Sequence, residues 1–138
     1  MRLNEHALHS WDTAVSFDPG GRIAQGSVPL LLDNLLEGPG WIVARMTRGG
    51  AAPEVAAKLG GRPVLVRTTA PERRIAIELA GEPQLHEAGH DGRPDLVIPA
   101  EALLRLCYGR LDPAHTPAGV QVEPSLTLDD LRATFNGY

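Results

Sequence analysis

The chain has 138 residues, of which 43% are hydrophobic and 22% charged, and its formal net charge is −4. This length suffices for one domain with a buried core, and the composition is ordinary for a globular protein. A net negative charge without a dense Lys/Arg run argues against nucleic acid or an anionic membrane as the main partner. The single cysteine, Cys107, excludes an internal disulfide, so nothing requires an oxidising compartment.

No apolar run has the length of a membrane span, and the first residues lack the basic and apolar segments of a signal peptide. A cytoplasmic location is therefore expected. The abundance of Ala, Leu, Arg, Gly and Pro is typical of a high-GC, for example actinobacterial, host.

Residues 2–16 are predicted to form an amphipathic helix. Its expected apolar face comprises Leu3, Ala7, Trp11 and Ala14, widened by Leu8 and Val15. Its expected polar stripe comprises Glu5, His9, Asp12 and Ser16. A second helix begins near Ser27, as N-cap, with Pro29 in its first turn. Residues 41–46 fit either another helical turn or a short strand, and residues 47–61 are interpreted as a linker that includes at most one short helix.

Strand patterns separated by turns then predict strands at 63–69, 73–79, 84–88 and 95–98, of which 73–79 alternates apolar and polar residues, and 120–123 fits a last strand. Pro99 is suited to the start of a helix over 100–108, in which Cys107 is expected to be a small core residue. A last helix is predicted from the N-cap Thr127, with Asp130 three residues later, to about Phe135.

Three segments in this order resemble the C-terminal domain of the mycothiol-dependent maleylpyruvate isomerase family: Asp95-Leu96-Val97-Ile98-Pro99, Leu103-Leu104-Arg105-Leu106 and Tyr108-Gly109-Arg110-Leu111. That domain is similar in fold to sterol carrier proteins. The resemblance therefore implies an α+β fold in which helices cover an antiparallel sheet, and residues from about 60 to 123 carry it.

The opening helix extends the resemblance. In that family the last helix of a four-helix metal-binding bundle carries Glu-x-x-x-His followed closely by Trp-Asp, and Glu5, His9, Trp11 and Asp12 match this pattern. Residues four apart on a helix lie on the same face, so a carboxylate and an imidazole can bind one metal ion together. The resemblance implies Glu5 and His9 as ligands of a divalent metal, zinc, with mycothiol as the thiol cofactor and Arg110 as the contact to a substrate carboxylate.

The implied domains are residues 1–17, the last helix of the truncated bundle; 18–59, a connecting helix and linker; and 60–138, the sterol-carrier-like domain. The rest of the bundle lies outside the 138 residues. We therefore expect a module that resembles a metal-assisted, thiol-dependent isomerase or transferase and has no turnover by itself.

Simpler interpretations stay open for each site residue. Glu5 and His9 also fit a solvated helix face, and Arg110 also fits a cation that the end of a helix favours, or a surface ion pair. The alternative function is a sterol-carrier-like binding module, so the ligand is a small-molecule acid or an apolar molecule. Because a helix that has lost its bundle must bury its apolar face, residues 3–15 predict a homodimer.

Overall fold

The computed structural model describes residues 2–136 and has an α+β fold, as the sequence predicted. Its α-helices are Arg2–Val15 (α1), Val28–Leu36 (α2), Trp41–Met46 (α3), Ala52–Lys58 (α4), Ala100–Cys107 (α5) and Leu128–Thr134 (α6). Its strands are Val64–Thr69 (β1), Arg74–Glu78 (β2), Gln84–Glu87 (β3), Leu96–Pro99 (β4) and Gln121–Val122 (β5). Within the described range no helix is both long and apolar enough to cross a membrane.

The five strands form one sheet in the order β3-β2-β1-β4-β5. The expectation of a wholly antiparallel sheet is wrong, because β1 and β4 pair in parallel while the other three pairs are antiparallel. The physical reason lies in the connection over residues 88–95. Strands β1 to β3 form a meander, so β3 runs in the same direction as β1. The chain then returns along the sheet and enters β4 from the same end as β1.

The core lies between the sheet and the helices. In β1 the side chains alternate between buried and half-buried positions, as expected for a strand with one covered face. Every residue of α5 is buried, and this helix contacts α2, β1 and β4. One hydrophobic cluster includes Leu8 and Trp11 of α1 as well as Leu131 and Phe135 at the other end of the chain. The proposed boundaries at residues 17 and 59 stay predictions.

Helix α1 is present as predicted, but it buries a different face from the one expected. The buried residues are Asn4, Leu8 and Trp11, whereas Leu3 is 45% exposed. The Asn4 side-chain amide donates a hydrogen bond to the carbonyl oxygen of Leu31 (3.1 Å), and its oxygen accepts one from Asn34 (3.2 Å). Because these bonds satisfy a buried polar group, Asn4 can occupy a core position that hydrophobicity alone would give to Leu3.

The structure also decides the segments that the sequence left open. Residues 41–46 form a helix, α3, and the expected linker includes the short helix α4. Ser27 immediately precedes α2, but its side chain makes no capping hydrogen bond. The predicted cap of α6 is confirmed, since Thr127 accepts from the backbone N–H of Asp130 and Asp130 accepts from that of Thr127.

Gly50 marks a close approach between the start of α4 and the end of α6. A Cβ atom at this position would lie 2.4 Å from the carbonyl oxygen of Thr134 and 2.7 Å from that of Ala133. Gly50→Ala should therefore lower the free energy of unfolding by about 1–3 kcal/mol, because backbone must move to relieve the clash. The matched control is Gly26→Ala, where nothing lies within 4 Å of the added Cβ. Urea denaturation measures both, and equal stability of the two variants would contradict the packing argument.

Candidate functional site

The three residues that the sequence marked as candidates line one cleft. Glu5, Leu8 and His9 of α1 and Arg110, which follows α5, enclose a volume of about 270 Å³. Glu5 and Arg110 are half-buried, and the His9 side chain is 71% exposed. The cleft therefore combines a carboxylate and an imidazole from α1 with a guanidinium from the segment after α5, which is far away in the sequence.

The end of α5 determines where Arg110 lies. Gly109 has φ +70°, the left-handed conformation that glycine adopts without a steric cost. The backbone N–H of Arg110 donates to the carbonyl oxygen of Arg105 (2.7 Å), and that of Gly109 donates to Leu106 (3.0 Å). These two bonds form the Schellman arrangement, which ends a helix and reverses the chain. Arg110 is thereby directed toward α1.

Asp12 holds the Arg110 guanidinium through two hydrogen bonds. Arg110 Nε lies 2.8 Å from Asp12 Oδ1, and Nη2 lies 3.0 Å from Oδ2. Nη1 donates to the carbonyl oxygen of Tyr108 at 2.9 Å. Of the interpretations that the sequence left open for Arg110, the ion pair is therefore present in the structure. An incoming acid must either share the guanidinium with Asp12 or displace this carboxylate.

The ion pair also determines the ionisation of Asp12 on the polar stripe of α1. The hydrogen bonds from Arg110 hold the pKa of Asp12 below its ordinary value, and the nearby His9 contributes in the same direction. His9 Nδ1 lies 3.4 Å from Asp12 Oδ2. Asp12 is therefore ionised at neutral pH, and its charge is largely committed to Arg110.

The cleft supplies only part of the ligand set that the zinc ion implied by the resemblance would require. Glu5 and His9 offer one carboxylate and one imidazole, both of which zinc accepts, but zinc sites need at least three protein donors. Asp12, a further carboxylate on the same helix, is held by Arg110. Within residues 2–136 no group of three or more His, Cys, Asp or Glu side chains could hold a metal ion. The described residues by themselves do not complete a metal site.

Cys107 confirms its predicted role as a core residue. It is fully buried in α5, and burial raises the pKa of its thiol to about 12. A thiol with so high a pKa carries almost no thiolate at neutral pH, so Cys107 has neither the access nor the ionisation of a nucleophile.

Two features, one in this cleft and one in a neighbouring groove, were not predicted from the sequence. The first is the pairing of Asp12 with Arg110 across 98 residues. The sequence placed Asp12 in the Trp-Asp motif and on the polar stripe and left an ion pair open for Arg110, but it did not indicate that the two residues are partners. The second is Arg22, which lines a groove on the opposite side of α1 and carried no sequence signal.

Comparisons with protein-family models, curated proteins and solved structures gave no match to this chain.

Proposed function

We propose that this chain is the C-terminal module of a metal-assisted, thiol-dependent isomerase or transferase of the mycothiol-dependent maleylpyruvate isomerase type, and that it is inactive on its own. In this proposal Glu5 and His9 contribute two metal ligands, and Arg110 contributes the contact to a substrate carboxylate. A third metal ligand comes from another polypeptide. The sterol-carrier-like classification of the fold, the mycothiol cofactor and the cytoplasmic location belong to the same proposal.

The observation that supports the proposal most strongly is that Glu5, His9 and Arg110 lie beside one another. The resemblance named Glu5 and His9 on one motif and Arg110 on another, in a part of the sequence about a hundred residues away. The three side chains nevertheless line one cleft of about 270 Å³. The two motifs that carry the resemblance are therefore neighbours in the fold, joined by the ion pair between Arg110 and Asp12.

The pairing of Arg110 with Asp12 is compatible with reversible binding of a carboxylic acid to Arg110. Guanidinium binds carboxylate with two parallel hydrogen bonds, which is the geometry that Asp12 already uses. A substrate carboxylate could exchange with Asp12 because Asp12 remains 39% exposed and returns to water when displaced. Asp12 would thus keep the guanidinium oriented between binding events.

Zinc binding by the purified chain tests the ligand assignment. We expect weak binding through Glu5 and His9, because two donors hold zinc poorly without a third. Glu5→Ala and His9→Ala should each weaken the affinity by about tenfold or more, whereas His6→Ala should leave it unchanged. His6 is the matched control because it is an exposed histidine of the same helix that does not line the cleft.

The measurement is a zinc titration followed by calorimetry, with the mass of the chain in solution determined alongside. Equal losses in His6→Ala and His9→Ala would mean adventitious binding to surface histidines and would contradict the assignment. A second copy of the chain is the simplest source of the missing ligand. We therefore propose a homodimer, and a mass that rises on zinc addition is the expected result.

A second candidate function is a binding module for an apolar ligand. The observation that favours it is a groove of about 380 Å³, between α1 and residues 22–31, which is larger than the Glu5–His9 cleft. Volumes of this size are typical of small-molecule sites. Saturable binding of an apolar molecule to the purified chain would support this function.

A further inference from the structure

A groove between α1 and the segment that leads into α2 has a rigid apolar lining. The buried side chains of Trp11, Ile23 and Leu31 line it, together with the half-buried Ala7. The indole N–H of Trp11 donates to the carbonyl oxygen of Gly21 at 2.8 Å, which fixes the segment against the helix. Because Trp11, Ile23 and Leu31 belong to the main hydrophobic core, the lining is formed before any ligand arrives.

The charge of the groove is unusual for this protein. The chain as a whole has a net charge of −4, yet none of the described residues that line the groove is acidic. Besides Trp11, whose indole N–H is bonded to Gly21, two of them carry side-chain nitrogens, Arg22 and His6. The lining therefore presents hydrogen-bond donors and positive charge on a surface that is otherwise negative overall.

Arg22 has no partner among the described residues. The other arginines that line pockets here, Arg105, Arg110 and Arg132, are all held by carboxylates. Arg22 is exposed and makes no hydrogen bond or ion pair through its side chain within residues 2–136. A guanidinium that stands beside an apolar groove without a counter-ion is suited to a ligand that brings its own carboxylate.

We propose that this groove binds an amphipathic monocarboxylic acid. The apolar part lies against Trp11, Ile23 and Leu31, and the carboxylate pairs with Arg22, with His6 as a further donor. One guanidinium matches one carboxylate, and the volume of about 380 Å³ suits a body of medium chain length. The proposal rests on the second candidate function, the binding module, and adds to it the site and the class of ligand.

The test uses decanoate and its neutral analogue decanol, both below the concentrations at which they aggregate. The chain has two tryptophans, and Trp41 lies outside the groove. In a Trp41→Phe background, the fluorescence of Trp11 therefore reports on the groove directly, and calorimetry gives an independent affinity. We expect both ligands to bind with one site per chain and to change the Trp11 emission.

Arg22→Gln tests the recognition of the acid. It should weaken decanoate binding by about tenfold or more and leave decanol binding unchanged. Arg48→Gln is the matched control, because it removes the same charge from an exposed arginine that does not line the groove. Ser10→Trp, a substitution of an exposed residue in the lining, should block both ligands by filling the groove, as measured by calorimetry because the new indole also fluoresces. Circular dichroism establishes that each variant is folded.

Each other outcome overturns the proposal in a distinguishable way. Binding of decanol with no loss of decanoate affinity in Arg22→Gln would leave an apolar binding module and remove the acid recognition. Equal losses in Arg22→Gln and Arg48→Gln would mean a general effect of charge. Failure of both ligands, together with a dimer that Ser10→Trp dissociates, would show that a second copy of the chain occupies the groove.

Discussion

Replacing Glu101 by glutamine should lower the free energy of unfolding by about 3–5 kcal/mol, because it leaves the positive charge of Arg105 buried without a counter-ion. Both side chains lie in α5 and are nearly inaccessible, with 3% exposure for Glu101 and 2% for Arg105. Arg105 Nε and Nη2 donate to the two carboxylate oxygens of Glu101, each at 2.9 Å. The measurement is urea denaturation of the variant and the parent protein at neutral pH.

The environment of Arg105 explains why solvent cannot replace Glu101. Nη1 donates to the carbonyl oxygen of His115 at 2.7 Å, and the guanidinium lies 5.0 Å from the centroid of the Trp11 ring. A guanidinium over an indole is attractive, and burial strengthens the attraction. These contacts order Arg105 but supply no negative charge, so the carboxylate of Glu101 is the compensating group.

Two further variants separate this explanation from a general loss of packing. The double variant Glu101→Leu/Arg105→Met removes both charges and should be more stable than Glu101→Gln alone, although it leaves the His115 carbonyl oxygen without its donor. Asp129→Asn breaks the exposed pair with Arg132 and should change the free energy of unfolding by less than about 1 kcal/mol. A loss below about 1 kcal/mol for Glu101→Gln would contradict the predicted cost of a buried, unpaired charge.

Much of the fold could be predicted from local signals. Pro99 at the start of α5 and Gly109 at its end act within a few residues, and so does the capping box of Thr127 and Asp130. The strands followed from short apolar segments separated by turns, with alternation of apolar and polar residues in β2. The coarse α+β class is the direct consequence of these elements.

The features that could not be predicted depend on contacts between distant segments. The buried face of α1 is rotated because Asn4 finds partners on α2, Leu31 and Asn34, which are about thirty residues away. The parallel pairing of β1 with β4 depends on the path of residues 88–95, which periodicity does not determine. Hydrophobic patterns indicate which side chains prefer burial. They do not indicate which polar groups will form hydrogen bonds with one another.

In the candidate site, too, the local features could be predicted from the sequence and the contacts between distant residues could not. The shared face of Glu5 and His9 follows from their spacing on a helix, so it could be predicted. The ion pair between Asp12 and Arg110 spans 98 residues and depends on the helix end at Gly109. Arg22 could not be identified at all, because its significance lies in having no ion pair or side-chain hydrogen bond within residues 2–136, which is a property of the folded surface.

Asp95 joins three strands of the sheet near their ends. Its side chain is 6% exposed and accepts two hydrogen bonds from Arg62, both at 2.8 Å, and one from the backbone N–H of Leu65, also at 2.8 Å. Its backbone N–H donates to the carbonyl oxygen of Leu65, and its own carbonyl oxygen accepts from Glu123. The residue therefore connects β1, the start of β4 and the segment that follows β5.

Asp95→Ala should lower the free energy of unfolding by about 2–4 kcal/mol at neutral pH, because it removes charged hydrogen bonds and leaves the N–H of Leu65 without an acceptor. Burial by itself raises the pKa of Asp95, but the hydrogen bonds from Arg62 and Leu65 outweigh it and hold the pKa below its ordinary value of 3.8. A folded-state pKa below the unfolded value means that the ionised carboxylate stabilises the fold. This contribution is fully present above pH 3.8 and is lost as the pH falls through the folded-state pKa.

The difference in stability between the parent protein and Asp95→Ala should therefore shrink in acid. Urea denaturation of both proteins at neutral pH and at about pH 3 measures this difference. Asp95→Asn keeps the shape of the side chain but not its charge. At neutral pH it should lose less stability than Asp95→Ala. A difference that is the same at both pH values would show that Asp95 acts through its shape rather than its charge. Since the pKa values of Asp12 and Asp130 are also lowered by basic partners, the parent protein as a whole should lose stability in the same direction.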